Sequence, residues 1–256
     1  MNDKWNPEQY QKFSQERKQP FYDLVELIEP KMGISILDLG CGTGELTEEL
    51  HTMFKASYTL GIDSSPSMLE KAEKLVKKGL EFRQADISKF TPDRKFDLVF
   101  SNAALQWIPD HVGLFKHLFI LVADKGQLAF QIPANNEYPT HVIARELAEE
   151  PPFNSYFDGG RPLYALSPES YAQLLVEGDF HKQAVRLQIY PHILESTESV
   201  LEWVKGTLLT YYQSRLPPDV FEEFLATYKY RIIAYFGEQR PFFYPFRRIL
   251  MWGSKG

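Results

Sequence analysis

The chain has 256 residues and a formal net charge of −6, with 44% apolar and 24% charged residues. That length can bury a full core and suits one α/β domain carrying insertions, and the balance is that of a globular rather than a disordered chain. Net acidity argues against general nucleic-acid binding, yet a local cluster of donors still serves a small anion.

Strand-like runs at residues 35–39, 58–62, 80–84, 96–101 and 127–132 alternate with helical periodicity at 45–54, 66–78 and 111–122. Pro66 follows Ser65, the arrangement of a first-turn proline after a cap. This alternation predicts a doubly wound, mostly parallel sheet with ligands at the carboxyl ends of its strands. Beyond Pro133 the pattern loosens, because Pro139, Pro151, Pro152, Gly159, Gly160 and Pro162 punctuate it. An insertion over the active-site edge is expected there, at about 134–166. A helix at 168–177 and a strand at 183–190 resume the core. Helices at 198–212 and 219–236 make a second insertion, about 196–245, and a strand at 247–253 closes the sheet antiparallel to its neighbour. The expected architecture is a single α/β domain over residues 1–256 with a helical cap.

Residues 1–19 mix polar and charged side chains without an apolar run, so no signal peptide is read. The longest apolar run, 118–123, is far too short to cross a bilayer. The single cysteine, Cys41, excludes an internal disulfide and makes a cysteine-based metal site implausible. The expectation is a reducing, cytoplasmic location with no membrane contact. No metal is expected either, since the histidines at 51, 111, 117, 141, 181 and 192 show no paired ligand spacing.

The stretch Ile36-Leu37-Asp38-Leu39-Gly40-Cys41-Gly42-Thr43-Gly44 places three glycines at alternate positions between an apolar strand and an amphipathic helix. Glycines let the backbone approach a bound molecule, and the helix start supplies free N–H groups. A nicotinamide-binding turn needs glycine where Glu45 stands, which disfavours a dehydrogenase. The stretch resembles the cofactor turn of S-adenosylmethionine (SAM) dependent methyltransferases. Asp63, at the end of the second strand, is placed to accept both ribose hydroxyls, or else to cap the next helix. Asp86, after the third strand, is placed to accept from an adenine amino group, or is a turn residue. Asp38 orients the turn or answers the cationic cofactor, whose sulfonium and amino groups favour nearby carboxylates. Ser64, Ile87 and Asn102, beside these positions, complete the expected cofactor contacts.

Past the fourth strand comes Ser101-Asn102-Ala103-Ala104-Leu105-Gln106-Trp107-Ile108-Pro109-Asp110-His111, and the chain opens on Trp5-Asn6-Pro7-Glu8-Gln9-Tyr10-Gln11-Lys12-Phe13. Together with Pro139-Thr140-His141, Arg145-Glu146 and Trp203-Val204-Lys205-Gly206-Thr207, these segments resemble the trans-aconitate 2-methyltransferase family. The resemblance implies a seven-stranded Rossmann-like sheet and methyl transfer from SAM to a carboxylate of a small polycarboxylic acid, giving a monomethyl ester. The chain departs from the family pattern at Leu208-Leu209-Thr210-Tyr211, where an arginine is expected, and at Gln19, which replaces a second arginine.

A carboxylate is already ionised at neutral pH, so the acceptor needs no general base and catalysis is positioning. Gln106 and Trp107 offer neutral donors that hold a carboxylate while leaving it nucleophilic. The competing reading has Trp107 packing under the cap. Tyr10, Phe13 and Arg17 share one helix face; Tyr10 is read as covering the cofactor and Arg17 as meeting an anion, although core packing explains the aromatics equally well. His141 and Arg145, four apart, either meet the remaining carboxylates or form a surface pair. Arg161 follows a glycine pair that makes either a lid or an ordinary turn. Two other readings stay open: a methyltransferase of malonyl groups on acyl carrier protein, which shares the Gln-Trp pattern, and a SAM-binding protein without turnover. No obligate protein partner is inferred.

Overall fold

The computed structural model describes residues 14–158 and 161–256. The reading of Tyr10 as a cofactor contact, the side chain of Arg17 and the glycine pair before Arg161 lie outside the described residues.

A helix, α1 (Ser14–Val25), precedes the first strand, β1 (Ser35–Leu39). The chain continues through α2 (Glu45–Met53), β2 (Tyr58–Asp63), α3 (Pro66–Ala72), β3 (Leu80–Gln84), β4 (Phe96–Asn102), α4 (His111–Leu121) and β5 (Val122–Pro133). After α5 (Pro139–Ala148) come α6 (Pro168–Glu177), β6 (Lys182–Leu194), α7 (Val200–Lys205), α8 (Leu208–Gln213), α9 (Pro218–Phe236) and β7 (Phe242–Ser254). The strands form one seven-stranded sheet in the order β3-β2-β1-β4-β5-β7-β6. Parallel registers such as Leu37↔Leu60 and Ile36↔Leu98 make β1 a central strand, and Ile36 to Leu39 are buried on both its faces, with Asp38 the one polar residue among them. β7 runs antiparallel to β5, with Gln127 opposite Ser254 and Pro133 opposite Arg248. The connection reverses direction on either side of β1, so β1 and β4 flank the switch point at which ligands bind in such sheets.

The chain divides into two compact units. One comprises Arg17–Pro133, Tyr164–Gln188 and Arg248–Gly256 and holds β1 to β5. Its core is built on Ile36, Leu37, Phe100, Phe115, Phe130 and Tyr171, all at most 1% exposed. The other includes Ala134–Leu163 and Ile189–Arg247 and is mainly helical. Its interior is aromatic, with Trp203, Tyr212, Phe224, Tyr228 and Tyr244 buried.

Several boundaries differ from the sequence expectation. The helix expected at 66–78 ends at Ala72, and Lys77 instead bridges Leu80 through a turn that Gly79 makes at φ +81°. The helix expected at 198–212 breaks at Gly206-Thr207, where a glycine and a β-branched residue are poor helix formers. In the stretch expected to be irregular, Pro139 begins α5 rather than breaking structure. Proline at the first helical position costs no hydrogen bond, and Ile143, Ala144, Leu147 and Ala148 give that helix a buried face. β7 starts five residues earlier than the expected 247, because Phe242, Tyr244 and Phe246 alternate inward.

Candidate active site

The loop between β1 and α2 turns on three glycines with positive φ: Gly40 at +78°, Gly42 at +56° and Gly44 at +80°. Ile62 O accepts from the N–H groups of both Gly40 and Cys41, at 2.8 and 3.0 Å. A Cβ on Gly40 would lie 2.2 Å from the Ala104 Cβ, and one on Gly44 would lie 2.7 Å from the Phe82 ring. Gly42 differs, since nothing lies within 4 Å of its vacant Cβ position. That is the room a ligand needs to approach the main chain.

Two carboxylates border this loop. Asp63 Oδ2 accepts from Gly42 N at 2.9 Å, while Oδ1 accepts from Ser65 N at 2.8 Å, so one side chain ties the glycine turn to the start of α3. Asp38 is buried and accepts from Thr47 Oγ1 at 2.5 Å. Burial raises the Asp38 carboxyl to about 7 against the opposing Thr47 hydrogen bond, and the Asp63 charge adds to the rise. Burial and both aspartates also push the Cys41 thiol up, so it is no nucleophile at neutral pH. Two carboxylate acceptors beside the loop suit a cation and a diol rather than a pyrophosphate, and so fit SAM.

Ile87 lies beside the loop, its Cδ1 3.7 Å from the vacant Gly40 Cβ position. Asp86 Oδ1 accepts from Ser88 N and Oγ at 2.9 and 2.7 Å, a turn geometry, and Lys89 Nζ lies 3.9 Å from Oδ2. The Ser64 carbonyl accepts from Gln84 Nε2 at 3.3 Å. Asn102, ending β4, is fixed from behind: Gln131 Nε2 donates to Asn102 Oδ1 at 2.6 Å, and the buried Arg248 donates to Gln131 Oε1 at 2.8 Å. Ala103 follows at φ +55° with its N–H on Gln131 O.

Gln106 and Trp107 occupy a 3₁₀ turn, Leu105–Trp107. Gln106 Nε2 donates to Ala103 O at 2.7 Å, and Oε1 is buried without a partner. Trp107 is 40% exposed. Behind the turn, His111 contacts Leu105 O through Nε2 at 3.0 Å and the Tyr171 hydroxyl through Nδ1 at 2.5 Å. Sequence reasoning passed over His111, Gln131 and Thr47 as positioning groups. Of these only Thr47, three residues past Gly44 on the helix that the turn opens, carried a local signal.

In the helical unit, His141 and Arg145 both belong to α5, and Arg161 is their electrostatic neighbour. His141 Nδ1 pairs with Thr140 Oγ1 at 3.1 Å; burial, then the Arg161 and Arg145 charges, lower its pKa to about 3. Arg145 reaches Asn136 O at 3.4 Å and the exposed Glu137 at 3.9 Å. Among the described residues no group of three His, Cys, Asp or Glu side chains is arranged to hold a metal ion. No helix among them is long and apolar enough to cross a membrane.

A sheet of this order with a glycine turn at its switch point defines the class. It is the methyltransferase domain, whose family model matches residues 30–173. The YcgJ protein of Bacillus subtilis shares the fold, with a TM-score of 0.61 at 15% identity over 93% of this chain and 98% of that one. The trans-aconitate 2-methyltransferase of Deinococcus radiodurans is 37% identical over 251 residues, covering 96% of each chain. That of Escherichia coli O1:K1 is 38% identical over 225 residues, 88% of this chain and 86% of that one. The chain belongs to the trans-aconitate 2-methyltransferase family.

Proposed function

We propose that this protein transfers a methyl group from SAM to a carboxylate of trans-aconitate or a related small polycarboxylic acid, releasing the monomethyl ester. The nearly full-length match to curated trans-aconitate 2-methyltransferases carries this reading. Bound SAM supplies the electrophilic methyl group. Gly40, Gly42 and Gly44 give the loop its close approach, and Asp63 is assigned to the ribose diol through the lone pairs its two backbone bonds leave unused. Asp38 answers the cofactor's positive charge, and Asp86 and Ile87 border the adenine. Ser64 and Asn102 complete the cofactor contacts, with Asn102 held by the Gln131–Arg248 pair.

The acid needs no base, so the protein's task is to hold one carboxylate oxygen in line and keep water from solvating it. Gln106, through the second N–H of Nε2, and Trp107 are assigned to that oxygen; His141 and Arg145 are assigned to the acid's other carboxylates. Tyr10 and Arg17 keep their sequence-based assignments to cofactor and substrate. The protein acts in the cytoplasm on a small soluble acid, with no nucleic acid, membrane or obligate protein partner. Incubation with methyl-labelled SAM and trans-aconitate, followed by mass spectrometry for a base-labile ester, tests the reading. A labelled trans-aconitate ester supports it; label found only on malonyl-acyl carrier protein, or bound SAM without any ester, rejects it.

A further inference from the structure

The helical unit contains a buried polar cluster built around Thr140. Tyr244 OH and His141 Nδ1 share Thr140 Oγ1, at 3.3 and 3.1 Å, and Tyr228 OH donates to Thr140 O at 3.0 Å. Arg145 and Arg161 both act electrostatically on His141 and on Tyr212, and Tyr211 packs edge-on against Tyr212 at 5.2 Å. In the same unit the Tyr212 hydroxyl and Arg247 Nε are buried with no hydrogen-bond partner. Asn135 Nδ2 lies beside the Tyr244 phenol without reaching hydrogen-bond geometry, although Asn135 Oδ1 is satisfied by Arg247 N at 2.6 Å.

Buried donors left without acceptors cost stability, and native proteins keep few of them. Asn135 Nδ2, the Tyr212 hydroxyl and Arg247 Nε are all donors, and the Arg161 and Arg145 charges both act on the Tyr212 hydroxyl. Glu137 is 75% exposed and 3.9 Å from Arg145, and Glu149 is on the exposed face of α5's carboxyl end. His141 stays neutral in this field and can therefore serve as donor or acceptor without adding charge. An anion with several oxygen atoms has the acceptors that Asn135 Nδ2, the Tyr212 hydroxyl and Arg247 Nε lack.

We infer that Asn135, His141, Arg145, Arg161, Tyr212 and Arg247 form a recognition site for a small polycarboxylate. The inference rests on the functional reading above and extends it to Asn135, Arg161, Tyr212 and Arg247. It also accounts for an arginine missing from the sequence pattern: Thr210 Oγ1 is spent on Thr207 O at 2.6 Å, and Tyr211 is stacked by Arg215 at 3.8 Å, so neither replaces that cation. Arg161 supplies it from another segment.

Because the site lies within one unit, its occupancy can be read without methyl transfer. The experiment is calorimetric titration of the full chain, saturated with S-adenosylhomocysteine, with tricarballylate and, in parallel, with the monocarboxylate butyrate. Tricarballylate binds and butyrate does not; Tyr212→Phe weakens tricarballylate about tenfold and Arg161→Gln on the order of a hundredfold, the range for bonds to charged groups. Tyr212→Phe has a second signature, since deleting a hydroxyl that has no partner leaves the thermal midpoint unchanged or raises it, whereas a structural hydroxyl would lower it. Equal affinity of both variants and the parent for tricarballylate overturns the site while leaving methyl transfer standing. Tricarballylate binding that both variants weaken, in a protein that esterifies no acid, supports the site and rejects the reaction. Failure of the parent to bind tricarballylate overturns the site whether or not an ester forms elsewhere.

Discussion

Replacing Asp38 with asparagine should stabilise the free protein and weaken its hold on SAM. Asp38 is 4% exposed, and burial lifts its carboxyl from 3.8 to about 7. A rise of about three units corresponds to roughly 4 kcal/mol between the charged and neutral forms. The sign follows from proton counting: between pH 4 and 7 the folded chain holds a proton that the unfolded chain has released. Stability from this group is therefore full below pH 4 and is lost as pH rises through 7. Asp38→Asn keeps the shape and an oxygen for Thr47 Oγ1 but carries no charge at any pH. Urea denaturation of the free protein should show the variant equal to the parent near pH 4 and more stable at pH 8, by up to about 4 kcal/mol. Calorimetry should show the opposite effect on ligand, with SAM losing affinity, and losing more than S-adenosylhomocysteine if Asp38 answers the sulfonium charge. A variant less stable than the parent at pH 8, with unchanged affinity for SAM, would refute the reasoning, because the buried charge would then be satisfied by the protein itself.

Gly40→Ala forces a Cβ to 2.2 Å from that of Ala104 at φ +78°, so a loss of about 2–5 kcal/mol and of SAM binding is expected by thermal denaturation and calorimetry. Arg248→Met leaves Gln131 Oε1 without its donor, which should cost about 1–3 kcal/mol and raise KM for SAM while sparing kcat. Gln106→Ala should lower kcat/KM for the acid about tenfold or more in steady-state assays, with S-adenosylhomocysteine affinity unchanged. His141, whose pKa falls to about 3 when folded, should make stability decline as pH drops from 6.5 towards 3, by roughly 1.4 kcal/mol per unit. The difference between parent and His141→Gln across that window measures its share.

The glycine turn, the strands and the parallel order of the sheet were legible because their signals are local: alternate glycines, apolar runs of strand length, a proline after a serine cap. α5 was not, since Pro139 reads as a breaker unless the buried face of Ile143, Ala144, Leu147 and Ala148 is given weight. Asp38, Asp63 and the glycines were readable as candidates by spacing. The Arg248–Gln131–Asn102 relay joins residues 117 and 29 positions apart, and no one-dimensional period marks such a pairing. The same holds for His111 behind Leu105 and Trp107, whose partner Tyr171 lies 60 residues away. Tyr212 and Arg161 were visible as residue types, but only the partnerless hydroxyl gives Tyr212 chemical meaning.

The measurement that bears most directly on the account is a competition: trans-aconitate, cis-aconitate, isocitrate, a free fatty acid and malonyl-acyl carrier protein together in one reaction with limiting methyl-labelled SAM, the label apportioned by mass spectrometry. Trans-aconitate is expected to take most of the label as a monomethyl ester. Label concentrated on the fatty acid or the carrier protein would contradict it.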